Sequence, residues 1–328
     1  MKKWAFMILG VILCISAFDG FEGTTRLETT AYAGAGKYSE DAIVSGDYLY
    51  VLSPTTIKKV SLDTFTVVGT IYTAKPAESI ETDGTYLYVG FWEGAPGYIG
   101  RYLISDFGTT NDILSLGATA TAINLYIKGD YLYVSTAGNG VYKVQLSTWT
   151  VVDQCSTPGG EMLEMMDDDG TYLYVSSVSS PAQLVKIDLA TFSVDDSVYI
   201  SENDGEGIVI YNGFAYIICE LSPGKIVKVN TTTMLEVDSI TFTAGLNDPK
   251  SGFQQSADGS TVWCMTTETP GYIVEIDLDS FTQVTYFSPG SKKGTEALCI
   301  SGNSIYTAGE FGTTTYIREF RNPLGIRW

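Results

Sequence analysis

The sequence predicts an all-β protein, a single seven-bladed β-propeller built from four-stranded antiparallel blades. Two observations support this prediction. A turn that contains glycine recurs seven times, and each turn precedes a run in which apolar and polar residues alternate. The turn glycines are Gly46, Gly84, Gly129, Gly170, Gly213, Gly259 and Gly302. They stand 38 to 46 residues apart, which is the length of a blade of four short strands.

The stretch from 169 to 198 shows one whole repeat unit. The turn Asp169-Gly170 leads into Tyr-Leu-Tyr-Val, and a polar loop leads into Leu184-Val-Lys-Ile-Asp-Leu. A second short turn precedes an outer run that opens with Phe192. Period-two alternation on both sides of short turns is typical of antiparallel hairpins, and the 22 Tyr and 14 Phe of the chain suit half-buried strands.

The two ends of the chain are predicted to share the seventh blade. The seventh repeat has no outer strand, because Pro323 and Gly325 break the alternation soon after Phe320. Residues 25–33 resemble the outer strand that begins at Val67 and directly precede the first inner strand. We therefore expect them to complete the last blade and remove the open edge of a propeller that spans 24–320.

Residues 1–17 have the order of a secretory signal peptide. Lys2 and Lys3 precede an apolar run, and the small residues Ser16 and Ala17 follow it. The expected location is therefore outside the cytoplasm: secreted, on the cell surface or in the periplasm. An uncleaved signal that anchors the chain in a membrane is the alternative.

Composition excludes several classes of function. A net charge of −19 argues against a nucleic-acid partner. The absence of histidine excludes Ser-His-Asp and Cys-His catalysis and histidine-ligated zinc. The cysteines that follow the signal segment are irregularly spaced. This spacing is compatible either with buried single thiols or with a disulfide between Cys219 and Cys264. These cysteines are Cys155, Cys219, Cys264 and Cys299.

The repeat resembles a known family. Its pattern of Leu-Tyr-Val, a polar loop and Val-Lys-Ile-Asp-Leu is similar to the YVTN-type β-propeller repeat of microbial surface-layer and other exported proteins. The resemblance covers nearly all of the chain after the signal segment and implies the fold without fixing a role. The chain departs from the pattern at Val89-Gly90-Phe91-Trp92 and at Asp248-Pro-Lys-Ser-Gly-Phe.

A set of glutamates recurs near the start of the predicted inner strands, six or seven residues before the turn glycine. The set comprises Glu40, Glu78, Glu164, Glu206 and Glu296. Inner strands line the axial channel of a propeller, so these side chains should converge. They are candidate Ca²⁺ ligands, with solvated acids at a wet channel mouth and a catalytic carboxylate site as the other interpretations.

A second recurring set is cationic, and we interpret it as structural. Such a side chain on the third strand can lie between blades and reach a neighbouring carboxylate. The set is Lys59, Arg101, Lys143, Lys186, Lys228 and Arg318, with Glu275 as the exception.

The tail 321–328 carries Arg321, Arg327 and Trp328 on an otherwise acidic protein. It could fold back, fray, or dock on an acidic neighbouring subunit.

The expected function is a non-catalytic secreted or cell-surface module, structural or binding, that would assemble with itself into a layer or filament, or with another surface protein. The alternative is a Ca²⁺-dependent lactonase-like or esterase-like hydrolase that uses the channel carboxylates.

Overall fold

The computed structural model describes residues 27–35, 39–92, 96–107, 111–117, 121–138, 140–158, 162–288, 297–302, 304–311 and 314–321. These residues form 28 strands in seven antiparallel sheets of four strands each. The chain is therefore a seven-bladed β-propeller, as the sequence predicts. Within the described ranges, no helix is long and apolar enough to cross a membrane.

Each blade contributes its first strand to the axis and its second strand to the body of the ring. The inner strands are β2 (Asp41–Ser45), β6 (Ala77–Thr82), β10 (Ala122–Lys128), β14 (Met162–Asp168), β18 (Gly205–Tyr211), β22 (Pro249–Gln255) and β26 (Leu298–Ser301). The second strands are β3 (Tyr48–Ser53), β7 (Tyr86–Phe91), β11 (Tyr131–Thr136), β15 (Tyr172–Val178), β19 (Phe214–Cys219), β23 (Thr261–Thr266) and β27 (Ser304–Phe311).

The third and fourth strands complete the blades toward the rim. The third strands are β4 (Thr56–Ser61), β8 (Gly97–Leu103), β12 (Gly140–Gln145), β16 (Gln183–Asp188), β20 (Lys225–Asn230), β24 (Ile273–Asp277) and β28 (Thr314–Arg321). The outer strands are β5 (Thr66–Tyr72), β9 (Asn111–Gly117), β13 (Thr150–Cys155), β17 (Ser193–Tyr199), β21 (Leu235–Thr241), β25 (Thr282–Phe287) and, for the seventh blade, β1 (Leu27–Ala35).

Strand β1 closes the ring, which confirms the predicted pairing of the chain ends. It runs antiparallel to β28, with Leu27 opposite Arg321 and Ala31 opposite Ile317. The strand extends to Ala35, two residues beyond the predicted end. The signal segment 1–17 and residues 322–328 lie outside the described part of the chain.

The hydrophobic core is divided among the blade interfaces. The seven clusters of buried apolar side chains each join two adjacent blades, and one of them joins the seventh blade to the first. In that cluster, Val51 and Val60 of blade one pack with Tyr306 and Ile317 of blade seven. Burial between blades is therefore what holds the ring closed.

The seven predicted turn glycines all have positive φ, for example +57° at Gly46. A second turn, between the third and outer strands, places a bulky residue in the same left-handed region. Phe192 has a φ of 48°, and its ring lies 5.7 Å from that of Tyr133 in the preceding blade. Such a conformation is unfavourable for a residue with a side chain, so packing against the neighbouring blade must maintain it.

The cationic set lies between the blades, as predicted, but its partners differ from the expectation. The Lys143 ammonium lies 4.3 Å from the Tyr131 ring centroid and 5.3 Å from that of Phe192 in the next blade. Lys59 and Lys228 face aromatic rings of their own and the next blade in the same way. The carboxylate prediction holds for Arg101 with Asp112 at 3.0 Å and for Lys186 with Asp195 at 3.3 Å. At Lys59, Lys143 and Lys228, aromatic ring faces replace the expected carboxylate.

Candidate functional site: an acidic axial cavity

The inner strands enclose a cavity of about 590 Å³ on the axis of the ring. All seven blades contribute residues to its wall. This volume is that of a small-molecule site, and the wall contains many carboxylates.

β-Bulges present three of the predicted glutamates to this cavity. The register between inner and second strands shifts around Glu78, Glu164 and Glu206, in blades two, four and five. A bulge leaves its extra residue unpaired and re-aims the side chain. Glu40 occupies the matching place in blade one, just before β2, and its amide donates to the Leu52 carbonyl at 3.0 Å. The structure thus brings four of the five predicted glutamates into one cavity, whereas Glu296 lies outside the described residues.

The oxygen ligands of this cavity are of the type that Ca²⁺ prefers. Among the residues that the structure describes, no three His, Cys, Asp or Glu are close enough together to hold one. The bulges distribute the glutamates around the ring, so each approaches the cavity from a different side.

A further group of acids, which was not predicted from the sequence, lies beside and beyond the glutamates. Asp41 Oδ2 accepts a hydrogen bond from the Ile80 amide of the next blade at 3.0 Å. Asp167 Oδ2 likewise accepts a hydrogen bond from the Ile210 amide of the next blade, blade five, at 2.7 Å. These carboxylates join adjacent inner strands at the axis, and both line the cavity.

Burial makes two of the cavity acids reluctant to ionise. It raises the pKa of Glu81 to about 8. A hydrogen bond from the Thr82 amide opposes this increase, and the nearby Asp41 charge adds a smaller one. Burial also raises the pKa of Asp167 to about 6, although two backbone amides donate to it. A cation in the cavity would favour the charged form of both groups. Their positions could have been found from the sequence, since both stand three residues before a turn glycine.

Two uncharged residues of blade two also line the cavity. Ser79 is 3% exposed, and its hydroxyl has no hydrogen-bond partner in the described structure. A Cβ at Gly90 would lie 2.6 Å from this hydroxyl and close to Ala122 and Leu125, so the hydroxyl faces the interface between blades two and three and the glycine makes room for it. Trp92 also lines the cavity and is 46% exposed. Gly90 and Trp92 belong to the stretch where the second repeat departs from the others, and that departure was the available signal.

Among the residues that the structure describes, the cation of this cavity is Lys250 of β22. Its ammonium lies 3.4 Å from a carboxylate oxygen of Glu220. Its inner strand is the irregular one of repeat six, where the register shifts by two residues between Lys250 and Gln254. The departure of repeat six from the sequence pattern thus coincides with an irregular inner strand.

The four described cysteines are free and buried, so the Cys219 to Cys264 disulfide is absent and the interpretation as single thiols is confirmed. Burial raises the pKa of each, to about 12 for Cys299, which lines the cavity. A thiol with so high a pKa is a poor nucleophile at neutral pH.

The predicted tail contacts stay a prediction. Arg321 is the last residue of β28, and its backbone pairs with Leu27 and Ser304. Its side chain, Arg327 and Trp328 lie outside the described part of the structure.

Comparisons with known proteins support the fold and leave the family open. No protein-family model and no curated protein matches the chain, so membership of the YVTN-type family is not shown. A chain of Kuenenia stuttgartiensis hydrazine synthase superposes with a TM-score of 0.73 at 16% identity, covering 95% of this chain and 99% of that one. The β-propeller domain of Cps50 (Swd1) from Myceliophteria thermophila gives 0.66 at 14% identity, covering 88% and 98%. The computationally designed protein Ika8 gives 0.60 at 10%, covering 85% and 82%. At these identities the likeness concerns the fold alone.

Proposed function

We propose that the chain is an exported, non-catalytic β-propeller that serves as a binding module, with the acidic axial cavity as its recognition surface. The observation that supports this most strongly is the meeting of Glu40, Glu78, Glu164 and Glu206 from four separate blades in one cavity. Acidic side chains that converge in a partly enclosed space concentrate negative potential there. The preferred ligands are therefore cationic.

The reactive side chains of the chain favour binding over covalent catalysis. The chain has no histidine to act as a base, and burial raises the pKa of the cysteine thiols. The ring itself is held by interblade packing and closed by β1, which suits a rigid scaffold.

The test of this proposal is a ligand panel read by thermal unfolding. Cationic, neutral and anionic small molecules are added to the wild-type protein and to a variant with all four glutamates changed to Gln. Ligand binding to the folded state raises the melting temperature. We expect only cations to raise it, and only in the wild type. Equal shifts in both proteins, or shifts with anions alone, would refute the proposal.

Export is the second part of the proposal, and it rests on residues 1–17. We expect the protein in the extracellular, cell-surface or periplasmic fraction, with a new N-terminus after Ser16 or Ala17. Fractionation followed by N-terminal sequencing tests this. Recovery of the intact chain from the cytoplasm would contradict export, and recovery of the intact chain from membranes would support the uncleaved anchor.

Self-assembly through the tail is the third part. Arg327 and Trp328 would dock on the acidic surface of another copy, and apolar side chains on the rim offer further contact area. Leu235, Val237, Val284 and Tyr286 are exposed on the outer strands of two adjacent blades. Deletion of 322–328 keeps the β1 to β28 pairing, because that pairing ends at Arg321. Light scattering should show large particles for the full chain and monomers for the deletion, and the same size for both would refute this part.

A Ca²⁺-dependent hydrolase is the alternative. Among enzyme classes it is favoured because several glutamates line the same axial cavity. Calorimetric titration with Ca²⁺ separates it from the first proposal. Binding heat that Glu164→Gln and Glu206→Gln abolish would support the alternative, whereas no binding heat would leave it without its cofactor.

A further inference from the structure

We propose that the Arg26 side chain completes the junction between blades six and seven, where its guanidinium lies over the Trp263 ring and pairs with Glu275. Arg26 directly precedes β1, so it stands just outside the described part of the chain. This closure of the ring is independent of what the axial cavity binds. It is supported by the way the other junctions are filled, by the register of β1 and by two residue changes in blade six.

At the other six junctions, a bulky side chain of one blade packs against an aromatic ring of the preceding blade. The Phe65 ring of blade one lies 6.5 Å from the Tyr306 ring of blade seven, and the Phe281 ring of blade six lies 5.4 Å from the Tyr216 ring of blade five. We call the place of such a side chain the interblade position. Its other members are Phe107, Trp149, Phe192 and Met234.

The interblade position is fixed relative to the strand pairing. Phe65 directly precedes β5, whose first residue, Thr66, pairs with Ser61 of the third strand. Ser61 lies two residues beyond Lys59, which is the residue opposite Tyr50. Blades three to six repeat this register. The strand pairing alone therefore identifies the interblade residue of a blade.

Strand β1 has the same register in blade seven, although it comes from the other end of the chain. Its first residue, Leu27, pairs with Arg321. Arg321 lies two residues beyond Glu319, which is the residue opposite Tyr306. The residue before β1 is Arg26, so the register assigns Arg26 to the interblade position against blade six.

Blade six has the charge that a guanidinium at this position needs. In four earlier blades, a cation of the third strand faces the interblade ring of the next blade. The Lys228 ammonium, for example, lies 5.2 Å from the Phe281 ring centroid. Blade six has Glu275 at the place of this cation. A lysine there would repel Arg26, whereas a carboxylate can accept hydrogen bonds from its guanidinium.

The aromatic residue of the junction also changes in blade six. The second-strand residue opposite the place of the cation is a tyrosine in the other blades and Trp263 here. Tryptophan is the ring that attracts a cation most strongly, and a guanidinium can also stack on its face. Blade six thus has both an acid and the larger ring at the junction where the register of β1 places a cation.

Blade seven shows that an acid alone would not be enough to infer this. It has Glu319 at the same place, not Arg318 as the sequence predicted. One oxygen of Glu319 accepts hydrogen bonds from the Ser304 and Tyr306 hydroxyls, at 2.9 and 3.0 Å. In blade six the tyrosine hydroxyl is missing, because Trp263 replaces that tyrosine.

The tail 322–328 is the other segment to consider, because it follows the last strand of blade seven. In blade one, the interblade residue stands six residues after the third-strand cation. The same count from Glu319 gives Gly325, which has no side chain to fill the position. Arg26 is therefore the occupant that we propose.

The experiment is urea unfolding of the full chain with variants of both charges. Arg26→Gln and Glu275→Gln should each lower the urea midpoint. A general effect of net charge predicts otherwise, because removing an acid from a protein of charge −19 should raise the midpoint. Asp153→Asn is the control for that effect, since it removes an exposed acid from β13, and it should not lower the midpoint. Arg26→Glu should lower it further, and adding Glu275→Arg to that variant should recover most of the loss.

A protease that cleaves after arginine gives a second, local measurement. Cleavage between Arg26 and Leu27 requires this segment to leave the ring, so the rate follows the population of the open form. Loss of one charge-assisted interaction should raise that population about tenfold. We therefore expect Glu275→Gln to accelerate cleavage after Arg26 about tenfold in the absence of urea, and Asp153→Asn to leave the rate unchanged. The mass of the product identifies the cut.

The proposal is overturned if Glu275→Gln raises the midpoint or leaves it unchanged, if the reversed charge pair recovers nothing, or if the cleavage rate after Arg26 does not respond to Glu275. It is also overturned if Glu275→Gln has no effect in a chain that lacks 322–328, since the partner of Glu275 would then be the tail. The ligand panel for the axial cavity is unaffected by each of these results.

Discussion

Replacing Phe192 by glycine should destabilise the protein less than replacing it by alanine. Either change removes a ring that is 5% exposed, at a cost of about 3–5 kcal/mol. The φ of 48° at Phe192 costs alanine about 1–2 kcal/mol but costs glycine nothing. Glycine loses about 0.5–1 kcal/mol more conformational freedom on folding. Phe192→Gly should therefore be more stable than Phe192→Ala by about 0.5–1 kcal/mol.

Phe320 is the matched control for this comparison. It has the same 5% exposure but lies within the extended strand β28. At this site Phe320→Gly should be less stable than Phe320→Ala by about 0.5–1 kcal/mol. Urea unfolding followed by tryptophan fluorescence measures both differences. If the glycine variant is less stable than the alanine variant at both positions, then Phe192 is not strained and interblade packing is not needed to maintain its left-handed conformation.

Three other predictions concern the cavity acids, a close backbone contact and the thiols. Because the pKa of Glu81 is about 8 when folded and ordinarily 4.5, the folded state binds more protons between these values, and stability should fall as pH rises through this range. Glu81→Gln should reduce that slope in thermal unfolding scans from pH 5 to 9, most clearly above pH 6, where Asp167 is already ionised, and an unchanged slope would contradict the shift. Gly140→Ala places a Cβ 2.0 Å from the Cys155 carbonyl oxygen at a φ of +87°, so it should lower the free energy of unfolding by more than about 3 kcal/mol. Gly46→Ala is the control, because that position has open space and a φ of +57°. It should lower the free energy of unfolding by about 1 kcal/mol in the same urea assay. The four buried cysteines should react with a thiol reagent only after unfolding, and rapid reaction of the native protein would contradict their burial.

Much of the fold could be predicted because its signals are local and repeated. Each turn glycine marks a positive φ, and the alternation around it fixes which side chains face the neighbouring blade. Closure by residues near Ala31 could be predicted from a missing strand at one end and a surplus strand at the other. The partner of Lys143 could not, because its position between Tyr131 and Phe192 depends on the packing of two blades.

The candidate site was only partly predictable for a similar reason. The spacing to the turn glycine identifies Glu40, Glu78 and Glu164 directly. Glu206 required an offset of one residue, because spacing does not reveal where a bulge shifts the register. Trp92 follows no repeat pattern. Its significance depends on the shape of the cavity, which only the assembled ring defines.

The most direct test of the acidic cavity as a binding site is a crystal structure of the full chain grown with a saturating small cation from the ligand panel. Electron density for the cation is expected on the ring axis, within reach of Glu40, Glu78, Glu164 and Glu206. Density only on the rim, with the axial cavity free of the cation, would contradict the proposed recognition surface.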